Sequence, residues 1–168
     1  MSPFFCNFVL LTSKKNTTME IGDKLPEVLG KDQDGQLIKL SDFKGKKLVL
    51  YTYPKDMTSG CTNEACNLRD NYQRFLDKGY AVVGVSIQNE KSHKKFIDKH
   101  QLPFPLIADT DKKLVEALGV YGEKKMYGRT YMGTFRTTFV TDENGVIEKI
   151  FTPKHIKVKE HAEQILGE

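Results

Sequence analysis

The order of elements read along the chain, β-α-β-α-β-α-β-β-α, predicts an α/β sandwich built on a central mixed sheet. Three observations carry that reading. Two runs, Lys47 to Tyr53 and Tyr80 to Ile87, are almost continuously β-branched, aromatic or aliphatic, as strands buried on both faces are. Segments with helical spacing follow each of them. Two glycine turns, Asp34-Gly35 and Asn144-Gly145, each stand between short runs of strand character.

Taken in order, Val28 to Lys31 and Gln36 to Leu40 flank Asp34-Gly35 as an N-terminal hairpin. Ser41-Asp42-Phe43 with Gly45 reads as a turn into the strand that ends at Tyr53. A helix runs from about Cys61 to Asp77 or Lys78, with Gly79 as its stop. After the strand Tyr80 to Ile87, the spacing predicts a charged helix from about Lys91 to His100, with His93 on its solvated face. Leu106 to Ala108 is a short strand, and Asp109 or Thr110 caps a helix reaching Leu118. Phe135 to Thr141 and Val146 to Phe151 make a second hairpin around Asn144-Gly145, and a last helix spans about Lys157 to Leu166.

Length and composition limit the function classes. At 168 residues the chain is one domain with room for a real core. No stretch approaches the ~20 apolar residues of a membrane span. The net charge of +4 comes from basic residues scattered among acids, which gives no stripe for nucleic acid. Three cysteines without a secretory signal argue against a disulfide framework and for a cytoplasmic protein. An apolar patch, Phe4 to Leu11, stands near the start. Its lysines, Lys14 and Lys15, follow it instead of preceding it, which speaks against a signal peptide.

The chemistry concentrates at Cys61. The buried strand ends at Pro54, and helical spacing through Arg69, Tyr72, Phe75 and Leu76 begins after the cysteine. Cys61 therefore stands in or just before a helix's first turn. Backbone N–H groups without intrahelical partners point there, and the helix dipole favours negative charge. A thiol so placed is expected to ionise more readily than a free one, and thiolate is the nucleophilic form. An inert buried thiol is the alternative for a cysteine taken alone. Cys-x4-Cys supplies only two zinc ligands where a structural site needs four, and the four histidines are dispersed.

Pro54-x3-Thr58-x2-Cys61 after a strand resembles the active site of the peroxiredoxins. A second cysteine five residues on, Cys66, resembles the peroxiredoxin Q or bacterioferritin-comigratory-protein branch. The likeness runs from about Ile21 to the C-terminus. It includes Asp42-Phe43-Lys44-Gly45-Lys46, Tyr51-Thr52-Tyr53-Pro54-Lys55, Gly119-Val120-Tyr121-Gly122-Glu123-Lys124 and Thr134-Phe135-Arg136-Thr137-Thr138-Phe139. Two positions depart from that branch: Ser59 stands where it usually has proline, and Thr52 where it usually has phenylalanine. The resemblance implies a thioredoxin-like fold carrying an N-terminal β-hairpin, over residues 19–168. Residues 1–18 then read as a disordered or non-native extension, which leaves Cys6 without a catalytic role.

The resemblance also implies roles. Cys61 is the peroxidatic nucleophile, Thr58 the hydroxyl that orients the peroxide, and Pro54 a cover over the thiolate. Arg136 is the cation that favours the thiolate and holds the transition state. Glu64 orients Arg136 and suits a helix's first turn. Cys66 is the resolving cysteine, condensing with the sulfenic acid of Cys61. The implied reaction reduces hydrogen peroxide and organic hydroperoxides, with thioredoxin or a similar dithiol as reductant. It calls for no metal, haem or flavin, and the likeness leans towards a monomer. Two rivals remain at this point. A thiol–disulfide oxidoreductase would prefer Cys-x2-Cys and a proline just before Phe135-Arg136, where none stands. A non-catalytic redox sensor or holdase would use the same cysteines without turnover.

Overall fold

The computed structural model describes residues 18–167. The expectations for the apolar patch, for Cys6 and for the extension short of Thr18 lie outside those residues. β1 (Val28–Lys31) and β2 (Leu37–Lys39) form the expected antiparallel hairpin. A 3-10 turn, Leu40–Phe43, leads into β3 (Lys47–Thr52). Then follow α1 (Ser59–Asp70), α2 (Tyr72–Asp77), β4 (Tyr80–Ser86), α3 (Glu90–His100), β5 (Leu106–Ala108) and α4 (Lys113–Ala117). β6 (Tyr121–Met126), β7 (Arg129–Thr134), β8 (Thr137–Thr141), β9 (Ile147–Phe151) and α5 (His161–Leu166) close the described chain.

The central sheet is mixed, in the order β5-β4-β3-β8-β9. β3 runs parallel to β4 and β4 to β5, while β8 is antiparallel to both β3 and β9. Side chains of β3 alternate between two cores, as a pleated strand requires. Leu48 and Leu50 face one core with Val83, Val85, Leu114 and Leu118. Val49, Tyr51 and, just past the strand, Tyr53 face the other, with Ala65, Leu68, Phe75, Phe96 and Ile165 of the helices. Cys61 belongs to this second core.

The structure corrects the sequence reading in several places. The long helix after Cys61 is two helices, broken at Asn71. There the side-chain amide donates to the Asn67 carbonyl at 2.8 Å, competing with the backbone for that acceptor. β6 and β7 form a hairpin that was not expected; its turn residues Tyr127 and Gly128 have φ of 50° and 75°. Most of its residues are exposed on both faces, so it lacks the apolar alternation that announces a strand. β8 begins at Thr137, which leaves Phe135 and Arg136 as the link from β7. Lys112, in the left-handed region, precedes α4, although the Asp109 carboxylate still accepts from the N–H groups of Leu114 and Val115. α5 starts at His161, since Gln164 folds back to bond Lys157 N and His155 O.

Candidate active site

β3 and α1 are joined by residues 53–58, and Thr58 caps the helix. Cys61 is therefore the third helical residue, inside the first turn. The N–H groups of Ser59, Gly60 and Cys61 precede the first intrahelical bond, Thr62 N to Thr58 O at 2.9 Å. Ser59 is the first helical residue, the position whose N–H is unpaired in any case and which proline therefore suits.

Register explains how Arg136 arrives. Thr52, the last residue of β3, pairs with Thr137, the first of β8. Arg136, one residue earlier, thus lies beyond the end of β3, where the chain turns into α1. Its Nη2 donates to Cys61 Sγ at 3.2 Å, and its Nη1 donates to Glu64 Oε1 at 2.9 Å. Gly60 permits this approach, because a Cβ there would stand 3.2 Å from Nη2. Thr52, the unusual residue, is fully buried and its hydroxyl donates to the Phe135 carbonyl at 2.8 Å. It also lies 3.2 Å from the Thr137 carbonyl, so one side chain holds both flanks of Arg136.

Charges in this cluster are strongly coupled to burial. Cys61 and Glu64 are buried, and the Arg136 side chain is only 17% exposed. Burial pushes the Glu64 carboxyl up to about 7, against the opposing pull of Arg136. Its second oxygen, Oε2, is buried with no hydrogen-bond partner. Burial also opposes the charge of Arg136, but Glu64 and then Cys61 outweigh it and raise the guanidinium pKa. Because the helix starts at Ser59, Glu64 falls in its second turn and not the first. Arg136, and not the helix dipole, is its partner.

The other expected residues stand around this contact chain. Thr58 is exposed and its hydroxyl donates to the Lys55 carbonyl at 2.9 Å, which leaves oxygen lone pairs open. Pro54 is half-buried at the start of the loop. Cys66 shares α1 with Cys61; both are free thiols, and Cys66 is half-buried with Sγ 3.7 Å from His100 Nδ1. Among the described residues, no group of three or more His, Cys, Asp or Glu gathers to hold a metal. No described helix is long and apolar enough to cross a membrane.

Two contributors escaped the sequence reading. His93 is fully buried, where a solvated face was expected. Its Nδ1 lies 2.7 Å from Asp56 Oδ2 and its Nε2 2.9 Å from the Ile107 carbonyl. Tyr53 and Ser92 donate to the same carboxylate at 2.6 and 2.7 Å. Burial works against the Asp56 charge, but His93, Tyr53 and Ser92 outweigh it and hold the carboxyl below its ordinary value. This network anchors the active-site loop to α3, next to Met57, whose φ of 66° is costly for a residue with a side chain. The spacing 93, 96, 97, 100 was the available clue, since it is one face of a helix. The second contributor is Lys124 of β6. Burial and then Arg136 lower its pKa while Cys61 raises it, and its Nζ lies 5.4 Å from the centroid of the Phe135 ring.

Comparison with known proteins agrees with this geometry. The AhpC/TSA family pattern matches residues 21–150. The peroxiredoxin Bcp of Bacillus subtilis (strain 168) is 46% identical over 149 residues, covering 89% of this chain and 94% of that protein. The peroxiredoxin Bcp of Escherichia coli (strain K12) is 38% identical over 149 residues, with the same coverage of 89% and 94%. The bacterioferritin comigratory protein of Xanthomonas campestris superposes with a TM-score of 0.79 at 32% identity, over 90% of this chain and 94% of that one. The fold is the expected thioredoxin-like one with an N-terminal hairpin. The chain belongs to the AhpC/TSA family as a peroxiredoxin of the Bcp/PrxQ type, a peroxidase.

Proposed function

We propose that Cys61 performs the peroxide chemistry and Cys66 resolves it, with a dithiol protein of the thioredoxin kind restoring both thiols. The Cys61 thiolate attacks one peroxide oxygen, the O–O bond breaks, and the other oxygen leaves as hydroxide or alkoxide and takes a proton. Charge passes from sulfur to the departing oxygen, so fixed donors are needed along that path. Arg136 and the first-turn N–H groups of α1 are those donors in this reading, and the lone pairs of Thr58 accept from the peroxide O–H. Pro54 limits water at the thiolate. The observation that carries the proposal is the guanidinium of Arg136, 3.2 Å from a cysteine in the first turn of a helix.

The product is a sulfenic acid on Cys61, which Cys66 converts to a disulfide with release of water. Both cysteines lie in one helix, and an offset of five residues separates their Cα atoms by roughly 8–9 Å. A disulfide needs about 7 Å or less. The first turns of α1 must therefore unwind, and the break at Asn71 offers a place for the unwinding to stop. Hydrogen peroxide and organic hydroperoxides are the proposed substrates; the Xanthomonas campestris relative has alkyl peroxide reduction activity. A monomer fits the scheme, because every proposed reacting group comes from one chain.

The test is peroxide turnover coupled to thioredoxin and its reductase, followed as NADPH loss. Wild type should turn over and Cys61→Ser should not, with its fold intact by circular dichroism. Activity above a few per cent in that variant would overturn the assignment of Cys61.

A further inference from the structure

Cys66 needs a base. Its proposed partner reaction requires a thiolate, yet a free thiol with a pKa near 8.5 is only about 3% ionised at pH 7. Unlike Cys61, it lies beyond the helix's first turn, with no guanidinium at its sulfur among the contacts described. What faces its sulfur is His100, the last residue of α3, with Nδ1 at 3.7 Å from Sγ.

We propose that His100 is the base that takes the thiol proton of Cys66 in the resolving step. This rests on the reading of Cys66 as the resolving cysteine. The tautomer that accepts at Nδ1 carries its own proton on Nε2 and is neutral. While α1 is folded, the S–H proton of Cys66 passes to Nδ1; once its first turns unwind, the freed sulfur electron pair attacks Cys61 Sγ. The S–O bond of the sulfenic acid breaks, the leaving hydroxide takes a proton from solvent to give water, and the imidazolium gives its proton back to solvent. Cys66 sulfur is oxidised, the sulfenic sulfur is reduced, and no outside reagent enters.

His100 is well placed for this. Phe96 stacks edge-on against its ring with centroids 5.3 Å apart, and α3 is fixed in the core by Phe96 and His93. Arg69 Nη1 donates to the His100 carbonyl at 2.7 Å, tying the base to the helix that carries Cys66. Partial burial, then Lys99 on α3 and Arg69 on α1, hold the imidazole below its ordinary pKa. Arg69 is itself paired with Asp70 at 2.9 Å, which tempers its field. The ring is therefore neutral and able to accept at physiological pH.

The test is a single pulse of one equivalent of hydrogen peroxide to the full reduced chain, quenched in acid at set times. Intact mass then separates thiol, dimedone-trapped sulfenic acid and disulfide. Wild type, His100→Ala, His100→Gln and Cys66→Ser are compared from about pH 6 to pH 9. Both His100 variants should oxidise Cys61 at the wild-type rate but form the disulfide about tenfold more slowly at pH 7. The gap should narrow as pH rises and hydroxide replaces His100 as base, and added imidazole should restore part of the rate to His100→Ala. Equal disulfide rates in wild type and His100→Gln at every pH would overturn the role of His100. So would a loss that is the same at all pH values and is not relieved by imidazole. Separately, a Cys61 disulfide that still forms at full rate in Cys66→Ser would overturn the reading of Cys66, whatever His100 does.

Discussion

The first turn and the middle of α1 hold the same functional group in opposite surroundings. At the N-terminal end, Cys61 is buried, receives a guanidinium hydrogen bond and stands beside an acid whose pKa is shifted to about 7. Five residues on, Cys66 is half-exposed and faces an imidazole whose pKa is lowered. The first environment keeps donors permanently aimed at sulfur; the second offers an acceptor. A nucleophile that must meet a dilute substrate gains from standing ready, because donors fixed beforehand need no rearrangement as charge develops. One whose target is generated in the same molecule can be deprotonated on demand. Just past Cys66, Asn67 ties the helix to α5, accepting from Ala162 N at 2.7 Å and donating to the Lys159 carbonyl at 2.9 Å.

Removing the guanidinium should erase most of the contrast. Arg136→Met should slow oxidation of Cys61 by two to three powers of ten, the usual cost of about 3–4 kcal/mol for one lost donor at a reacting centre. Disulfide formation after that step should be little changed. Stopped-flow competition for hydrogen peroxide measures the first step, and a loss below fivefold would show that the helix terminus alone supports Cys61.

Glu64 sharpens the comparison through pH. Its folded pKa of about 7 lies above the ordinary 4.5, so the folded state holds this proton more tightly than the unfolded chain. The resulting stability is full below pH 4.5 and is lost as pH rises through 7. Glu64→Gln removes the titration. Relative to wild type, its unfolding free energy should rise by up to about 3 kcal/mol between pH 4.5 and pH 8. Asp56 is shifted the other way and loses its contribution only as pH falls below 3.8, outside this window. Denaturant titrations of both proteins provide the measurement, and parallel curves would show that Glu64 does not titrate there.

The smallest expected effect lies just past Cys66. Asn67→Ala breaks the tie to α5 at a cost of about 1–2 kcal/mol, by the usual worth of such hydrogen bonds. Hydrogen exchange across residues 61–70 should rise in the reduced protein, and disulfide formation should accelerate a few-fold while Cys61 oxidation holds. An unchanged disulfide rate with faster exchange would mean that opening of α1 does not limit resolution.

Much of this was legible beforehand, and the misses share a cause. The strands Lys47–Thr52 and Tyr80–Ser86 announced themselves because burial on both faces leaves a nearly continuous apolar run. The hairpin β6–β7 did not, because Met126, Tyr127 and Met132 are exposed there and alternation is lost. His93 was placed in water because charged residues surround it in sequence. Its burial depends on Asp56, thirty-seven positions away, whose carboxylate is its polar partner. A buried polar group cannot be read locally when its partner comes from another element.

The sequence by itself determined where a strand hands over to a helix and that Cys61 would stand in or just before its first turn, since both follow from short-range hydrogen bonding and periodicity. Only the tertiary structure decided what Cys61 and Cys66 would face. Arg136 lies 75 positions from Cys61 and reaches it because β8 pairs antiparallel with β3 in a register that ends at Thr52 and Thr137. His100 lies 34 positions from Cys66 and reaches it because α3 packs in the same core as α1. Reactivity depends on charges and acceptors a few ångströms from each sulfur, and those distances are set by strand register and helix packing that no local pattern encodes.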